Sequence, residues 1–162
     1  MTKQQQFVLT FYDDAVKTQV EFGVPLLVTL AQAALESGWG KNAPGNNFFG
    51  VKAFASWQGK KQLQWTTEFK AGKRTKVQAW FRAYDTAYES FKDHAETLKK
   101  RFPVAFTYKK NPDEFIRSVQ RDHHPYKYAT DPLYTEKIIS IIRMIRSIIA
   151  DLKLNNVKEK EG

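Results

Sequence analysis

The hydrophobic pattern of this chain changes its period twice, and this change restricts the folds that the chain can adopt. Apolar residues recur at helical spacing before Glu36 and again after Thr86, but they alternate with polar residues between Phe48 and Arg82. Helical spacing buries one stripe of a helix, whereas alternation buries one face of a strand. The sequence therefore predicts a mainly α domain of the α+β class, in which one small β-hairpin lobe follows the second helix.

Start and stop signals divide the helical parts of the chain into five predicted helices. The first covers residues 11–22, and the second runs from Pro25 to Glu36. The other three are predicted to start at capping patterns in residues 86–89, 111–114 and 131–132. The last helix carries a stripe of isoleucine and leucine residues at helical spacing, which predicts that it belongs to the core.

Two alternating runs flank a turn predicted at residues 71–73. The first run contains Leu63, Trp65, Thr67 and Phe69, and the second contains Val77, Ala79 and Phe81. Two such runs joined by a short glycine-containing turn predict a β-hairpin. Glu68 is the one acidic residue between positions 51 and 82, and it is predicted to lie close to the turn.

Length and composition indicate one domain, assigned to residues 1–154, followed by a polar tail at residues 155–162. The chain has no cysteine, which excludes disulfides and thiolate metal sites. His123 and His124 are adjacent, a poor spacing for metal ligands, so no metal or cofactor is expected. We also expect no membrane span, because no apolar segment reaches the ~20 residues that a span requires.

The net charge of +9 is concentrated in the second part of the chain. Residues 1–50 carry three lysines and four acids, whereas residues 51–82 alone carry eight basic residues and one acid. A basic lobe of this kind attracts anionic polymers and accelerates encounter with them. Charge alone fits both nucleic acid and the bacterial cell wall.

Glu36 is the candidate for acid–base chemistry that local sequence suggests. It is a single carboxylate at the end of an Ala-rich helix, and Ser37-Gly38-Trp39-Gly40 follows at once. Apolar surroundings raise the pKa of a carboxyl group, which is what a general acid needs near neutral pH. A Glu in the last helical turn is otherwise an ordinary solvated residue, and local sequence leaves both interpretations open.

Several segments together indicate a family. Their sequences are ALESGWG at 34–40, NNFFGVK at 46–52, TTEF at 66–69, FRAYD at 81–85, ESFKDH at 89–94 and YATDP at 128–132. In this order they resemble glycoside hydrolase family 73, the endo-β-N-acetylglucosaminidases of autolysins, flagellar rod-cap proteins and phage lysins. The resemblance covers about residues 10–145 and implies a lysozyme-like fold.

The resemblance also implies roles for particular residues. Glu36 would be the general acid. Glu68 matches the acidic position of the β-lobe, and Tyr128 matches the tyrosine that orients or stabilises the substrate's 2-acetamido group, which is itself a possible internal nucleophile. Substrate-binding candidates are Asn46, Asn47 and Phe48 on the groove floor, and Trp39, Trp57 and Tyr84 as sugar-stacking surfaces. The sequence fits these three aromatics equally well as core residues. A further set, Arg82, Glu89 and Asp93, is expected to brace the two lobes.

The chain departs from the family pattern at a few positions. Lys127 stands where the family has glycine before the tyrosine, and residues 123–126 ahead of it are atypical. Phe48 replaces the usual leucine, which is a mild change.

The family implies cleavage of the β-1,4 bond between N-acetylglucosamine and N-acetylmuramic acid in peptidoglycan. Alternatives are a muramidase or lytic transglycosylase acting on the other glycan bond, and a non-catalytic wall-binding module. Nucleic-acid binding ranks last because it gives the motifs ALESGWG and YATDP no function. The expected partners are glycan strands and anionic wall polymers, bound by a monomer.

The expected site of action is the bacterial cell wall, outside the membrane. The amino-terminal stretch MTKQQQFVLTF has neither the long apolar segment nor the cleavage site of a Sec signal peptide. No such signal is therefore expected in this chain, and the sequence leaves the export route open, together with the peptidoglycan type and the stereochemical course of hydrolysis.

Overall fold

Five α-helices and one β-hairpin make up the computed structural model, which describes residues 1–121 and 127–154. The helices are α1 (Lys3–Phe22), α2 (Leu26–Ser37), α3 (Ala87–Arg101), α4 (Pro112–Gln120) and α5 (Tyr134–Asp151). The strands are β1 (Lys61–Lys70) and β2 (Lys73–Arg82), and short 3-10 turns cover Pro44–Asn46 and Pro103–Tyr108. The predicted mainly α fold with a hairpin lobe is confirmed.

Two helix boundaries differ from the prediction. The first helix begins at Lys3 instead of near residue 11, because Thr2 and Gln5 form a capping box that stabilises a polar first turn. The last helix begins at Tyr134 instead of at residues 131–132. Asp131 instead forms a turn before the helix, in which its side chain accepts a hydrogen bond from the Leu133 amide.

The core surrounds α2, whose small residues let its neighbours approach closely. Ala31, Ala33 and Ala34 have no exposed surface, and α2 packs against both α1 and α5. The predicted stripe of α5 is buried here, with Ile138, Ile142 and Ile145 fully inaccessible to solvent. Other members of the predicted stripe remain partly exposed at its edges. Within the described residues, no helix combines the length and the apolarity needed to cross a membrane.

The hairpin turns through Ala71 and Gly72, which both have positive φ, and Glu68 pairs with Thr75 near this end, as predicted. Lys73 belongs to β2 and not to the turn. Positive φ at both central residues matches the twist of two-residue hairpins.

A third segment, residues 51–53, extends the hairpin along the far edge of β2. The Ala53 amide donates to the Trp80 carbonyl, and the Arg82 amide donates to the Val51 carbonyl. Lys52 thereby comes to lie beside Phe81. The hairpin is thus joined to the loop that follows α2 as well as to its own chain neighbours.

The register places the two alternating apolar runs on opposite faces of the hairpin. Phe81 is opposite Gln62, whereas Leu63 is opposite Trp80. The face with Gln62, Gln64, Thr66, Glu68, Thr75, Val77, Ala79 and Phe81 is here called the groove face. The other face, with Lys61, Leu63, Trp65, Thr67, Phe69, Arg74, Lys76, Gln78 and Trp80, is called the outer face.

Polar contacts fix the base of the hairpin to the helical body. Arg82 forms an ion pair of 2.8 Å with Asp93 of α3, and the Tyr84 hydroxyl donates to the same carboxylate at 2.5 Å. These contacts agree with the predicted bracing role of Arg82 and Asp93. Glu89 instead accepts a local hydrogen bond from the Asp85 amide at 3.0 Å.

Candidate active site

Glu36 occupies the last turn of α2, where the chain makes a sharp break. Gly38 ends the helix in the left-handed conformation, and Trp39 follows with a φ of 59°, which is uncommon for a residue with a side chain. The Ser37 hydroxyl donates to the Ala33 carbonyl at 2.6 Å and accepts from the Gly40 amide at 2.9 Å. This buried serine fixes the break and therefore the direction in which Glu36 leaves the helix.

A groove of about 210 Å³ separates the helical body from the hairpin, and Glu36 lies in its wall. The helical side contributes Glu36, Asn42, Pro44, Asn47 and Gly50, and the hairpin contributes Gln62, Gln64, Trp65, Thr66 and Phe81. Most of these side chains are polar or aromatic, and Glu36 is the one carboxylate among them. The groove therefore presents a single acid among hydrogen-bonding side chains, an arrangement suited to a polar, uncharged ring.

Burial raises the pKa of Glu36 above its ordinary value. More than a third of the residue remains accessible to solvent at the groove, yet the surrounding protein desolvates the carboxyl group. Desolvation disfavours the charged form of an acid and so favours the protonated form. Glu36 thus combines access to the groove with a tendency to keep its proton.

Glu68 lies on the groove face, two residues beyond Thr66 and towards the hairpin turn. Two strand residues span about 7 Å, and Glu68 is not one of the residues that line the cavity beside Glu36. Its carboxylate contacts the Lys52 ammonium at 2.6 Å, and the hydrogen bond and charge of Lys52 lower the pKa of Glu68. The two acids accordingly have opposite pKa shifts, the pattern of a proton donor and an ionised partner.

Tyr128 lies next to two buried aromatic partners near Glu36. His94 Nε2 is 3.1 Å from the Tyr128 hydroxyl, and the Tyr134 ring stacks on Tyr128 at 5.4 Å. Burial raises the pKa of Tyr128 well above its ordinary value, with smaller contributions from Tyr134 and from Glu36. Tyr128 is therefore a neutral hydroxyl whose position is fixed by its neighbours.

The same cluster is connected to α2. Gln32, one helical turn before Glu36, donates a hydrogen bond of 3.1 Å to the Tyr134 hydroxyl. His94 stacks on Phe49 with ring centroids 3.7 Å apart, and burial lowers the pKa of His94 to about 3. Four elements (α2, the loop after it, α3 and the start of α5) thus meet beside the acid.

The predicted floor residues have different positions. Asn47 lines the groove, but its amide donates to the Val51 and Arg82 carbonyls at 2.9 Å and its oxygen accepts from the Val51 amide. Asn46 donates to the Tyr84 carbonyl at 3.1 Å, and Phe48 is buried in the core. These contacts shape the loop under the groove, and direct substrate contact by the three residues stays a prediction.

The three predicted stacking aromatics do not line the groove around Glu36. Trp39 packs edge-on against Phe7 of α1 at 5.6 Å. Trp57 and Tyr84 lie in a separate hollow of about 400 Å³ at the hairpin base, where Arg82 stacks over the Trp57 ring at 4.3 Å. Their role as sugar-stacking surfaces also stays a prediction.

Several residues of the site were not predicted. The groove additionally contains Asn42, Gln62, Gln64, Trp65, Thr66 and Phe81. Outside it, Lys52 forms an ion pair with Glu68, and His94 contacts the Tyr128 hydroxyl. The spacing of Gln62, Gln64 and Thr66 relative to Glu68 was a usable signal, because alternate strand residues share one face. His123 and His124, considered as metal ligands, lie outside the described residues.

A helical body, a two-stranded lobe and a desolvated acid in the groove between them define a lysozyme-like glycoside hydrolase. The family described as glucosaminidase, mannosyl-glycoprotein endo-beta-N-acetylglucosaminidase, matches residues 12–147, and the chain belongs to this family.

Named relatives and a solved structure are consistent with this membership. The chain is 34% identical to the peptidoglycan hydrolase FlgJ of Pseudomonas aeruginosa, covering 88% of this chain and 37% of that protein. It is 36% identical to the exo-glucosaminidase LytG of Bacillus subtilis, covering 86% of this chain and 51% of LytG. The truncated glycoside hydrolase domain of Salmonella typhimurium FlgJ superposes with a TM-score of 0.75 at 35% identity, covering 89% and 98% of the two chains. The chain thus spans about half or less of these two curated relatives.

Proposed function

We propose that this domain hydrolyses the β-1,4 bond between N-acetylglucosamine and N-acetylmuramic acid in peptidoglycan, at the bacterial cell wall. The observation that carries the proposal is the position of Glu36, a carboxyl group with a burial-raised pKa in the wall of an interlobe groove. Membership of the glucosaminidase family and likeness to peptidoglycan hydrolases support the substrate class.

In the proposed reaction Glu36 protonates the glycosidic oxygen as the bond from the sugar C1 to that oxygen breaks. Positive charge then develops on the donor sugar and requires stabilisation. Glu68 is ionised but lies outside the cavity and is paired with Lys52, so a moving lobe or an intervening water would have to connect it to the reaction. Water finally adds to C1, and its proton returns to a carboxylate.

The position of Glu68 favours the 2-acetamido group of the substrate as the internal nucleophile. Attack by its carbonyl oxygen on C1 forms a cyclic intermediate without a protein nucleophile, and water then opens the ring. The neutral Tyr128 hydroxyl, fixed by His94 and close enough to interact electrostatically with Glu36, is suited to orienting that group. Glu68 then has an electrostatic role or positions the water.

The bond that is cut can be determined from the reducing ends of the products. Sacculi digested with the domain and reduced with borohydride are expected to give muropeptides ending in reduced N-acetylglucosamine. Products ending in reduced N-acetylmuramic acid would identify a muramidase, and anhydro-N-acetylmuramic acid would identify a lytic transglycosylase. Binding without any new reducing ends would leave a non-catalytic wall-binding module.

A further inference from the structure

The outer face of the hairpin exposes an unusual amount of apolar surface. Trp65 is 68% exposed and Phe69 is 74% exposed, and Leu63 and Trp80 are each almost half exposed. Leu63 and Trp80 are cross-strand partners and Trp65 is the next residue on the same face, whereas Phe69 follows beyond Thr67. A contiguous exposed apolar surface of this kind, rimmed by polar residues, marks interaction sites on soluble proteins.

Cationic side chains lie among these aromatic residues. The Lys61 ammonium lies 4.8 Å from the centre of the Trp80 ring, Arg74 is paired with Phe69, and Lys76 is paired with Thr67. No position of the outer face is acidic, because Glu68, the one acid of the hairpin, lies on the groove face against Lys52. The charge of this surface therefore fits an anionic partner that also offers flat apolar faces.

The outer face is continuous with the groove. Trp65 belongs to the outer face by its strand position, yet it also lines the groove next to Gln64 and Thr66. Beyond β1 the described part of the chain adds no further strand, so this edge of the sheet is unpaired. A polymer leaving the groove at this edge would meet Trp65 first and then the rest of the outer face.

We infer that the outer face binds the continuation of the peptidoglycan strand whose scissile bond occupies the groove, an inference that rests on the proposed function. Sugar rings would stack on Trp65, Phe69 and Trp80. The carboxylates of the stem peptides would pair with Lys61, Arg74 and Lys76. The alternation of ring and cation on this face matches a polymer in which uncharged sugar rings carry anionic side groups.

The inference predicts that the outer face distinguishes long strands from short ones. In a Glu36→Gln background, which prevents hydrolysis, Trp80→Ala combined with Phe69→Ala should raise the Kd for purified uncross-linked glycan strands about tenfold, a typical loss for removing interface aromatics. In the active enzyme, the same pair should leave turnover of a short soluble tetrasaccharide within about twofold, because such a substrate occupies the groove alone.

Controls separate contact from folding. Met144→Ala removes a similarly exposed apolar side chain from α5, away from the hairpin, and should leave the Kd unchanged. Trp80→Phe in place of Trp80→Ala keeps an aromatic ring and should restore most of the lost affinity. Thermal unfolding of each variant checks the fold, and a loss that Trp80→Phe does not recover would contradict stacking at this position.

Other results of these binding and turnover measurements would contradict the inference or assign the outer face a different role. Unchanged affinity for long strands in the double variant would overturn the inference. An equal loss with the short substrate would assign Phe69 and Trp80 to the groove. Binding to anionic phospholipid vesicles and to single-stranded DNA is compared with binding to glycan strands. If either binds more tightly than glycan strands and the double variant weakens that binding, the outer face has a different partner. Failure of the wild type to release reducing ends would refute the proposed activity, while the binding measurement would still test the face.

Discussion

At the scale of single residues, the proposed reaction depends on the Glu36 carboxyl group, whose pKa is raised because its surroundings are poorly solvated. Replacing Glu36 by Gln retains the shape and removes the proton, so hydrolysis should fall by roughly 10²- to 10⁴-fold. Loss of turbidity from a suspension of sacculi measures this effect. Glu136→Gln changes an exposed acid in the first turn of α5 and serves as the matched control.

The fold and wall binding of Glu36→Gln should match the wild type, because no described ion pair or side-chain hydrogen bond involves this carboxyl group. Pelleting with sacculi and thermal unfolding test these two points. Wall-clearing activity within a few-fold of the wild type would remove Glu36 from the mechanism.

His94 couples the stability of the domain to pH. It is buried, its Nδ1 has no hydrogen-bond partner among the described residues, and its pKa falls to about 3 from an ordinary value of 6.5. Between these values the unfolded chain binds a proton at His94 that the folded domain does not bind. The stability that neutral His94 contributes is therefore fully present above pH 6.5 and is lost as the pH falls towards 3. The slope is about 1.4 kcal/mol per pH unit.

The variant His94→Gln isolates this contribution. Glutamine cannot titrate but can still donate a hydrogen bond to the Tyr128 hydroxyl. Between pH 7.5 and pH 4.5 the wild type should lose roughly 2 to 3 kcal/mol more unfolding free energy than the variant, because all other titrating groups are common to both. Urea unfolding at the two pH values measures the difference, and parallel pH profiles would show that His94 is not held neutral.

At the scale of elements, the sequence predicts which segments are helices and strands better than it predicts their faces. Helix caps and the hairpin turn are local features, so four of the five helices begin within a few residues of their predicted starts. The register of the hairpin depends on contacts from elsewhere in the chain, above all the segment at residues 51–53 beside β2. Alternation alone therefore does not predict that the apolar side chains of β1, such as Leu63, lie on the opposite face of the hairpin from those of β2, such as Phe81.

The ion pair between Lys52 and Glu68 connects residues 51–53 to the hairpin, and its contribution to turnover can be tested. Glu68→Gln should lower turnover less than Glu36→Gln does, because Glu68 lies outside the cavity. Lys52→Met should have a similar effect, and the double variant should be little worse than either single change, since both remove one interaction. Lys137→Gln in α5 breaks a comparable ion pair with Asp131, which lies in the turn before that helix, and is the control.

The steady-state turnover of wall fragments measures this cycle. Rescue of Glu68→Gln by azide, with formation of a glycosyl azide, would show instead that Glu68 acts directly as a base or nucleophile. Additive losses in the double variant would show that Lys52 and Glu68 act separately, and an unchanged rate in Glu68→Gln would mean that the carboxylate is incidental.

At the scale of the whole molecule, the site could be predicted in part because its acid and its tyrosine lie in short recognisable motifs. The groove itself is formed by segments far apart in sequence. Gln62 reaches across to the Pro44 carbonyl at 2.7 Å, and Gly45 leaves room for that side chain, since a Cβ there would lie 2.6 Å from it. Such long-range contacts do not follow from local sequence patterns. The sequence therefore predicts Trp39, Trp57 and Tyr84 as sugar-stacking residues, whereas the groove beside Glu36 is lined on the hairpin side by Gln62, Gln64 and Trp65.

The uneven charge of the molecule predicts how it finds its substrate. The hairpin lobe carries much of the net charge of +9, so association with an anionic wall should weaken steeply as salt rises, because exposed charges are screened beyond about 8 Å at physiological ionic strength. Reversal of charge at Lys60, Lys61, Lys73 and Arg74 should reduce this association more than it reduces hydrolysis of short soluble glycans. Lys60 already forms an ion pair with Asp85, so its share should be smallest.

A matched pair of variants tests whether position or total charge matters. Lys73→Glu with Arg74→Glu, near the hairpin turn, lowers the net charge from +9 to +5, and so does Lys109→Glu with Lys110→Glu beside a hollow formed by α1, α2 and α5. If the lobe steers the encounter, the first pair should slow association with sacculi several-fold more than the second, and the difference should shrink at high salt. Equal slowing by both pairs would mean that total charge alone attracts the domain to the wall.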